Sequence, residues 1–317
     1  MPLPIFPFTD LPMLTPLAAG VSFLDLQFQA TPRIIATAVL RGAAGVALVD
    51  PGPSSSLPTL WRELGAAGVS SGDVTAVLLT HIHLDHAGGV GTMVRQNPRL
   101  RIYVHEKGAP HLSNPEKLVA SAARLYGDAM DRLWGDVLPV PPSIIVPLAG
   151  GERVEEGGRT LDVAYTPGHA SHHVSYFSAD TGIAFVGDTA GIKRAPNEYV
   201  LPPTPPPDID LDLWRGSLAR IAAWRPDTLF LTHFGPHGPS DPHLSEMSEH
   251  LDSVTSIAKA SLAREESDEA REEFFVAALR RELCRGMDEK EARAYELAAR
   301  FDLSWRGIVR YLRKRGV

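Results

Sequence analysis

Apolar residues along this chain come in short runs broken by turns rich in glycine, proline and aspartate, a pattern of strands with single helices between them. Residues 21–28 and 34–40 read as antiparallel strands, and 46–49 as a third, ended by the Asp50-Pro51-Gly52 turn. Residues 57–65 have helical spacing, with Ser54 to Ser56 placed to cap them. A strand at 74–79, a helix at 90–96 and a strand at 101–105 follow. Three later strands, 161–165, 183–186 and 229–231, each run into a residue able to bind a metal.

Two stretches break the rhythm. Within 107–142, residues 116–134 repeat apolar side chains at helical spacing, and Pro139, Pro141 and Pro142 close the segment. This insertion suits a lid or pocket wall in which Tyr126 or Trp134 touches substrate, although burial of both against a core is the plainer reading. From residue 243 the chain becomes charged and helical, with helices predicted at 251–264, 269–284, 289–301 and 304–313. The division expected is therefore a catalytic domain over 1–242 and a helical region over 243–317, the latter packing on the former or making a homodimer. The cations at 310–315 complement a helix C-terminus. Pro2, Pro4, Pro7, Pro12 and Pro16 make the first residues an extended strap.

The chemistry concentrates in VLLTHIHLDHAGG at 77–89, where an apolar strand delivers His81, His83, Asp85 and His86 within six residues. In extended backbone His81 and His83 project to one side, while Asp85 and His86 can face a second position. Imidazole nitrogens and carboxylates are donors that zinc accepts. No closed four-ligand site exists locally, so further ligands must come from other strand ends, which offer His169, Asp188 and His233. Those seven side chains suffice for two ions. The phrases LLTH and FLTH, about 150 residues apart, hint at a duplicated architecture.

Composition narrows the field. A formal net charge of −7 gives no footprint for a polyanion, so no nucleic acid partner is expected. The single Cys284 excludes an intramolecular disulfide and a cysteine-based zinc site. With no apolar stretch of membrane-spanning length and no basic start of a secretory signal, the expectation is a cytoplasmic protein with no membrane partner. His105 and His111 read as surface or satisfied residues.

THIHLDHAGG at 80–89, TPGHASHHVSYF at 166–177, FVGDTA at 185–190 and LTHFGPHG at 231–238, with LVDPG at 48–52, together resemble the metallo-β-lactamase superfamily over roughly the first 240 residues. That resemblance implies an α/β fold, a four-layer αββα sandwich with metals along one edge, here carrying a C-terminal helical appendage. It implies that His81, His83 and His169 hold a first metal, that Asp85, His86 and His233 hold a second, and that Asp188 bridges them. Asp50 and His173 fall where such proteins place structural groups behind the ligands. His172 stands where many relatives have glycine and receives no role.

The expected activity is hydrolysis of a small carbonyl substrate (lactone, ester, thioester or β-lactam) by hydroxide generated on two zinc ions, with iron or manganese as substitutes. Asp85 would bind metal and shuttle a proton. Tyr199, in the proline-rich stretch 195–207, is a candidate donor to a developing oxyanion, and His237 and Tyr126 are candidate pocket residues. Two alternatives within the same superfamily are a mononuclear iron persulfide dioxygenase and a phosphodiesterase or nuclease.

Overall fold

The computed structural model describes residues 14–316. Its first sheet runs, in spatial order, β1 (Thr15–Ala18), β2 (Val21–Asp25), β3 (Ala36–Gly42), β4 (Gly45–Val49), β5 (Val74–Leu78), β6 (Arg101–His105) and β7 (Ile145–Leu148). Pairing is antiparallel up to β4 and parallel beyond it. The second sheet runs β8 (Arg153–Glu156), β9 (Arg159–Tyr165), β10 (Val174–Ser178), β11 (Ile183–Phe185), β12 (Thr228–Leu231) and β13 (Gly235–His237), with β11 and β12 parallel and the other pairs antiparallel.

The helices are α1 (Leu57–Ala66), α2 (Leu84–Ala87), α3 (Val90–Gln96), α4 (Ala109–Ser113), α5 (Glu116–Tyr126), α6 (Met130–Trp134), α7 (Leu211–Ala223), α8 (Ser240–Leu262), α9 (Asp268–Leu283), α10 (Glu289–Ala298) and α11 (Phe301–Lys314). Strand alternation sorts side chains into layers. Ala76 and Leu78 of β5 join Phe23, Tyr176, Phe185 and Phe230 between the sheets, whereas Val77 and Leu79 face outward onto Leu57, Leu60, Val90 and Met93 of α1 and α3. On β12, Phe230 points inward, and Leu229 and Leu231 pack outward with Trp214 of α7, Met247 of α8 and Phe275 of α9. Both sheets are thus covered on both faces, which is why their central strands read as unbroken apolar runs. This is the four-layer αββα sandwich that the motifs implied.

Local differences from the predicted elements have identifiable causes. The strand predicted over 21–28 stops at Asp25, whose carboxylate accepts the backbone N–H groups of Gln27 at 2.9 Å and Arg33 at 2.7 Å and so builds a turn. The helix predicted over 116–134 breaks at Gly127, where φ is +51°. Ser54 and Ser55 do not cap α1; their hydroxyls donate to the carbonyls of Asp136 and Leu133, both at 2.6 Å, and fasten the insertion to the domain. β8 gives a weak strand signal because only alternate residues of it are apolar or buried, whereas α7 follows from the apolar spacing of Leu211, Trp214, Leu218 and Ile221 behind the Asp210 cap.

The extended strap predicted at the start falls outside the described residues except for Pro16, which lies in β1. Helix α8 begins at Ser240 and continues past residue 243, and α8 to α11 share one hydrophobic core with the second sheet. Arg313 and Arg315 near the terminus pair with Asp268 and Asp212. Among the described residues no helix is long and apolar enough to cross a membrane.

Because Phe275 is fully buried in that shared core, Phe275→Ala is expected to cost about 3–5 kcal/mol. The loss should move the urea midpoints seen by tryptophan fluorescence and by far-ultraviolet circular dichroism together. Midpoints that separate would show that the helices unfold independently of the sheets.

Candidate metal centre

Parallel neighbours end side by side, and this builds the site. Val49 of β4 pairs with Leu78 of β5, which sets Asp50 beside Thr80; Phe185 of β11 pairs with Phe230 of β12, which sets Asp188 near His233. Asp50 is fully buried, with its carboxylate accepting four hydrogen bonds. The donors are Thr80 N–H (2.8 Å), Thr80 hydroxyl (2.7 Å), Thr232 hydroxyl (2.7 Å) and His86 Nδ1–H (2.8 Å). The two threonines are those of LLTH and FLTH, so the repeated phrase is one device used once from each sheet.

The seven predicted ligands come together as two groups, His81, His83, His169 and Asp188 in one, and Asp85, His86 and His233 in the other. Nδ1–H of His169 donates to the Pro203 carbonyl at 2.8 Å, and that of His233 to the Ile34 carbonyl at 2.6 Å. With His86 donating to Asp50, all three rings keep the lone pair on Nε2 and aim it inward. His81 Nδ1 is 3.1 Å from the Thr80 hydroxyl, whose proton is committed to Asp50, so this ring too presents Nε2. His83 is turned the other way, its Nδ1 lying 2.9 Å from His169 Nε2.

Asp188 faces both groups. Its Oδ2 is 3.2 Å from His169 Nε2, while Oδ1 is 3.3 Å from His86 Nε2 and 3.6 Å from His233 Nε2. Asp85 Oδ2 lies 3.3 Å from His233 Nε2. His173 Nε2 accepts the Asp188 backbone N–H at 3.3 Å, and its ring stacks on His81 with centroids 5.0 Å apart. This approach needs Gly187, at φ +47°, where a Cβ would fall 2.4 Å from Thr80 Oγ1 and 2.7 Å from His173 Nε2. His172, also buried, stacks on His81 at 6.1 Å on the side of Ile82.

These residues fit a divalent cation. His81 Nε2, His86 Nε2, His233 Nε2 and Asp188 Oδ1 are buried and meet no hydrogen-bond partner, a cost of about 1–3 kcal/mol each if left so. Nitrogen and oxygen donors sharing one tetrahedral ion lie about 3.4 Å apart at zinc bond lengths, close to the separations here. The loop holding Ile34 is itself gripped: the Arg194 guanidinium donates to the carbonyls of Pro32 and Arg33, and Glu291 of α10 pairs with Arg33 (3.1 Å) and Arg194 (3.5 Å).

The two groups differ in electrostatics. Burial, together with the neighbouring imidazoles, pushes His81 well below the usual histidine range, His83 down to about 4, and His169 down as well. Burial also opposes charge on His86, but Asp188, Asp85 and Asp50 outweigh it and raise this histidine well above its ordinary value. His233 is raised by Asp188 and Asp85 against burial. Conversely, His86 and His233 overcome burial to hold Asp85 at about 2, and His86, His169 and His233 hold Asp188 well below the carboxylate range.

Over the cluster lies a cavity of about 110 Å³ that contains edges of His83, Asp85, His169 and Asp188. Its walls come from α5 and α6, from Pro203 to Pro207, and from the junction of α10 and α11 around Arg300. Tyr126 lies in this wall, edge-on to Trp134 at 5.0 Å. Two predicted residues are elsewhere. The Tyr199 hydroxyl donates to Glu282 at 3.1 Å and its ring stacks on His250 in a different cavity, because the proline-rich loop turns that side chain toward α8 and α9. His237 spends Nε2–H on the carbonyls of Lys193 (3.0 Å) and Phe234 (3.2 Å), as an end-of-strand turn requires. Missed altogether were Arg300 and its neighbours, for which no local motif exists, and the role of Thr80 and Thr232, for which the repeated TH was the signal.

A histidine–aspartate cluster at the edge of an αββα sandwich defines a metallo-hydrolase of that fold. The chain belongs to the metallo-beta-lactamase superfamily, whose family model matches residues 30–233. It is similar to the metallo-beta-lactamase fold-containing protein ST1585 of Sulfurisphaera tokodaii, 29% identical over 222 residues covering 68% of this chain and 79% of that one. A hydroxyacylglutathione hydrolase of Synechococcus is 32% identical over 146 residues, 46% of this chain and 44% of the relative, so that match spans under half the relative's length. Among solved structures, the metallo-beta-lactamase family protein TTHA1429 of Thermus thermophilus superposes with a TM-score of 0.68 at 23% identity, covering 94% of this chain and 95% of that one. At such identity the likeness is one of fold.

The charge pattern predicts how metal binding responds to pH. Burial holds the first group's imidazoles below their usual pKa, so protons compete weakly for them, whereas His86 and His233 of the second group, whose pKa values are raised, take up protons at a higher pH, and it is the second group that protons challenge first. The second group's apparent affinity therefore falls by up to about tenfold per pH unit for each proton taken up as pH drops through those raised values. Competition with a chelator at pH 7.5 and 5.5 should show the second group emptying first; simultaneous loss, or loss of the first group first, would refute the assignment.

Proposed function

We propose that the chain is a dinuclear hydrolase of a small carbonyl substrate, with zinc the ion that its nitrogen and oxygen donors suit best. The observation that carries this reading is the double orientation of Asp188, one oxygen toward each group of ligands. Two divalent ions held there supply Lewis acidity and a water acidified to about neutral pKa. The chain's own part is placement. Asp50 and His173 hold His86 and the Asp188 backbone from behind. Asp85 is the carboxylate ligand that borders the cavity with partial exposure, and its low pKa keeps it an acceptor able to orient a substrate-side proton.

The scissile bond is that of an ester or thioester, lactones included. Support comes from hydroxyacylglutathione hydrolases among the relatives, whose name describes thioester cleavage.

Protein purified without chelator is expected to hold close to two equivalents of a divalent ion, read by elemental analysis. Asp188→Ala should lose more than one of them and reduce turnover by at least about 1000-fold, and Asp85→Asn should cost about 100- to 10,000-fold in kcat. A single tightly held iron with oxygen uptake would replace the hydrolase reading with the persulfide dioxygenase.

A further inference from the structure

The cavity has a second arm. A pocket of about 90 Å³ shares Asp85, Tyr126, Trp134, Ala298 and Arg300 with the first and continues past His233. The first arm therefore opens on His83, His169 and Asp188, and the second on His233, with Asp85 between them. Both arms are apolar: Leu118, Leu125, Pro206, Ala299 and Leu303 line the first, and Phe28, Ile35, Leu133 and Leu297 the second.

Ligands apart, the charged side chains lining the arms among the described residues are Arg300 and Glu296, and both are already paired. Arg300 makes a two-pronged pair with Asp302, Nε to Oδ1 at 3.0 Å and a terminal nitrogen to Oδ2 at 2.5 Å, and its other terminal nitrogen donates to the Leu125 carbonyl at 3.1 Å. Its guanidinium also lies 5.8 Å from the centre of the Tyr126 ring. Glu296 is paired with Arg280 at 2.6 Å. A substrate carboxylate carried down either arm, away from the metal ligands, would be desolvated with no side-chain cation among the described residues free to receive it.

We propose that this site takes an uncharged ester or thioester bearing a hydrophobic group on each side of the carbonyl, one group in each arm, and that Arg300 latches α5 to the start of α11 instead of reading a substrate anion. The proposal rests on the hydrolase reading for the bond cleaved. It does not rest on it for the occupant, which follows from the walls.

The test uses zinc-loaded protein and matched substrates. Hexanoyl 4-methylphenyl ester is compared with the analogue whose acyl chain ends in a carboxylate, and with the analogue carrying a carboxymethyl group on the ring. Each added carboxylate should lower kcat/KM on the order of 100-fold. Lengthening the acyl group from acetyl to hexanoyl should raise it by about fourfold per methylene. The thioester of hexanoic acid and hexanethiol, run beside the ester, identifies the preferred leaving atom. Arg300→Ala should raise KM for neutral and carboxylate substrates alike; a loss confined to the carboxylate substrates would overturn the latch.

Calorimetric binding of hexanethiol and 6-mercaptohexanoate separates the two readings. Hexanethiol binding at least about tenfold tighter, with no ester turned over, would refute hydrolysis and leave the occupant standing. Equal or tighter binding of the carboxylate would overturn the occupant whatever the esters do.

Discussion

The centre depends on one buried carboxylate. Removing an ionised aspartate from water is costly unless its lone pairs are filled, and Asp50 fills them with two threonine hydroxyls, a backbone N–H and an imidazole N–H. Thr80 stands at the end of a strand in one sheet and Thr232 at the end of a strand in the other. A single oxygen, Oδ2, accepts from both and from His86, so the edges of the two sheets are held in register at the point where the ligands leave them. The interior of the sandwich sets the distance between the sheets, and Asp50 turns that distance into the position of a nitrogen donor.

Around this rigid floor the upper part of the site is assembled from distant chain segments. The insertion is tied down by Ser54 and Ser55, and the proline loop lends the Pro203 carbonyl that orients His169. The helical tail serves twice. It closes the cavity at Arg300, and through Glu291 it grips Arg33 and Arg194 beside the carbonyl that orients His233. The tail is therefore part of the site's support, not only of the molecule's bulk.

Much of the floor could be read from the sequence because each ligand follows an apolar strand, and strands buried on both faces stand out as short apolar runs. The four-layer arrangement was implied by the resemblance of those motifs to the metallo-β-lactamase superfamily, not by the spacing of the strands themselves. What lay above the floor was not legible. Tyr199 looked well placed because it follows Asp188 closely along the chain, but distance along a proline-rich loop does not determine which way the loop turns, and it carries the ring to His250. Arg300 gave no sign because its neighbours in space, Leu125 and Tyr126, are about 175 residues away along the chain. Ser54 to Ser56 had the composition of helix caps, and tertiary partners took the hydroxyls of Ser54 and Ser55 instead.

The cavity walls at α5 and α6, Pro203 to Pro207 and the α10–α11 junction contain none of the seven donor side chains. Apart from the Pro203 carbonyl that orients His169 and Glu291 behind the His233 loop, drift in those segments can redraw which molecules are admitted while the reactive machinery stays as it is. A scaffold arranged this way lets chemistry be inherited and diet be acquired, each on its own evolutionary clock.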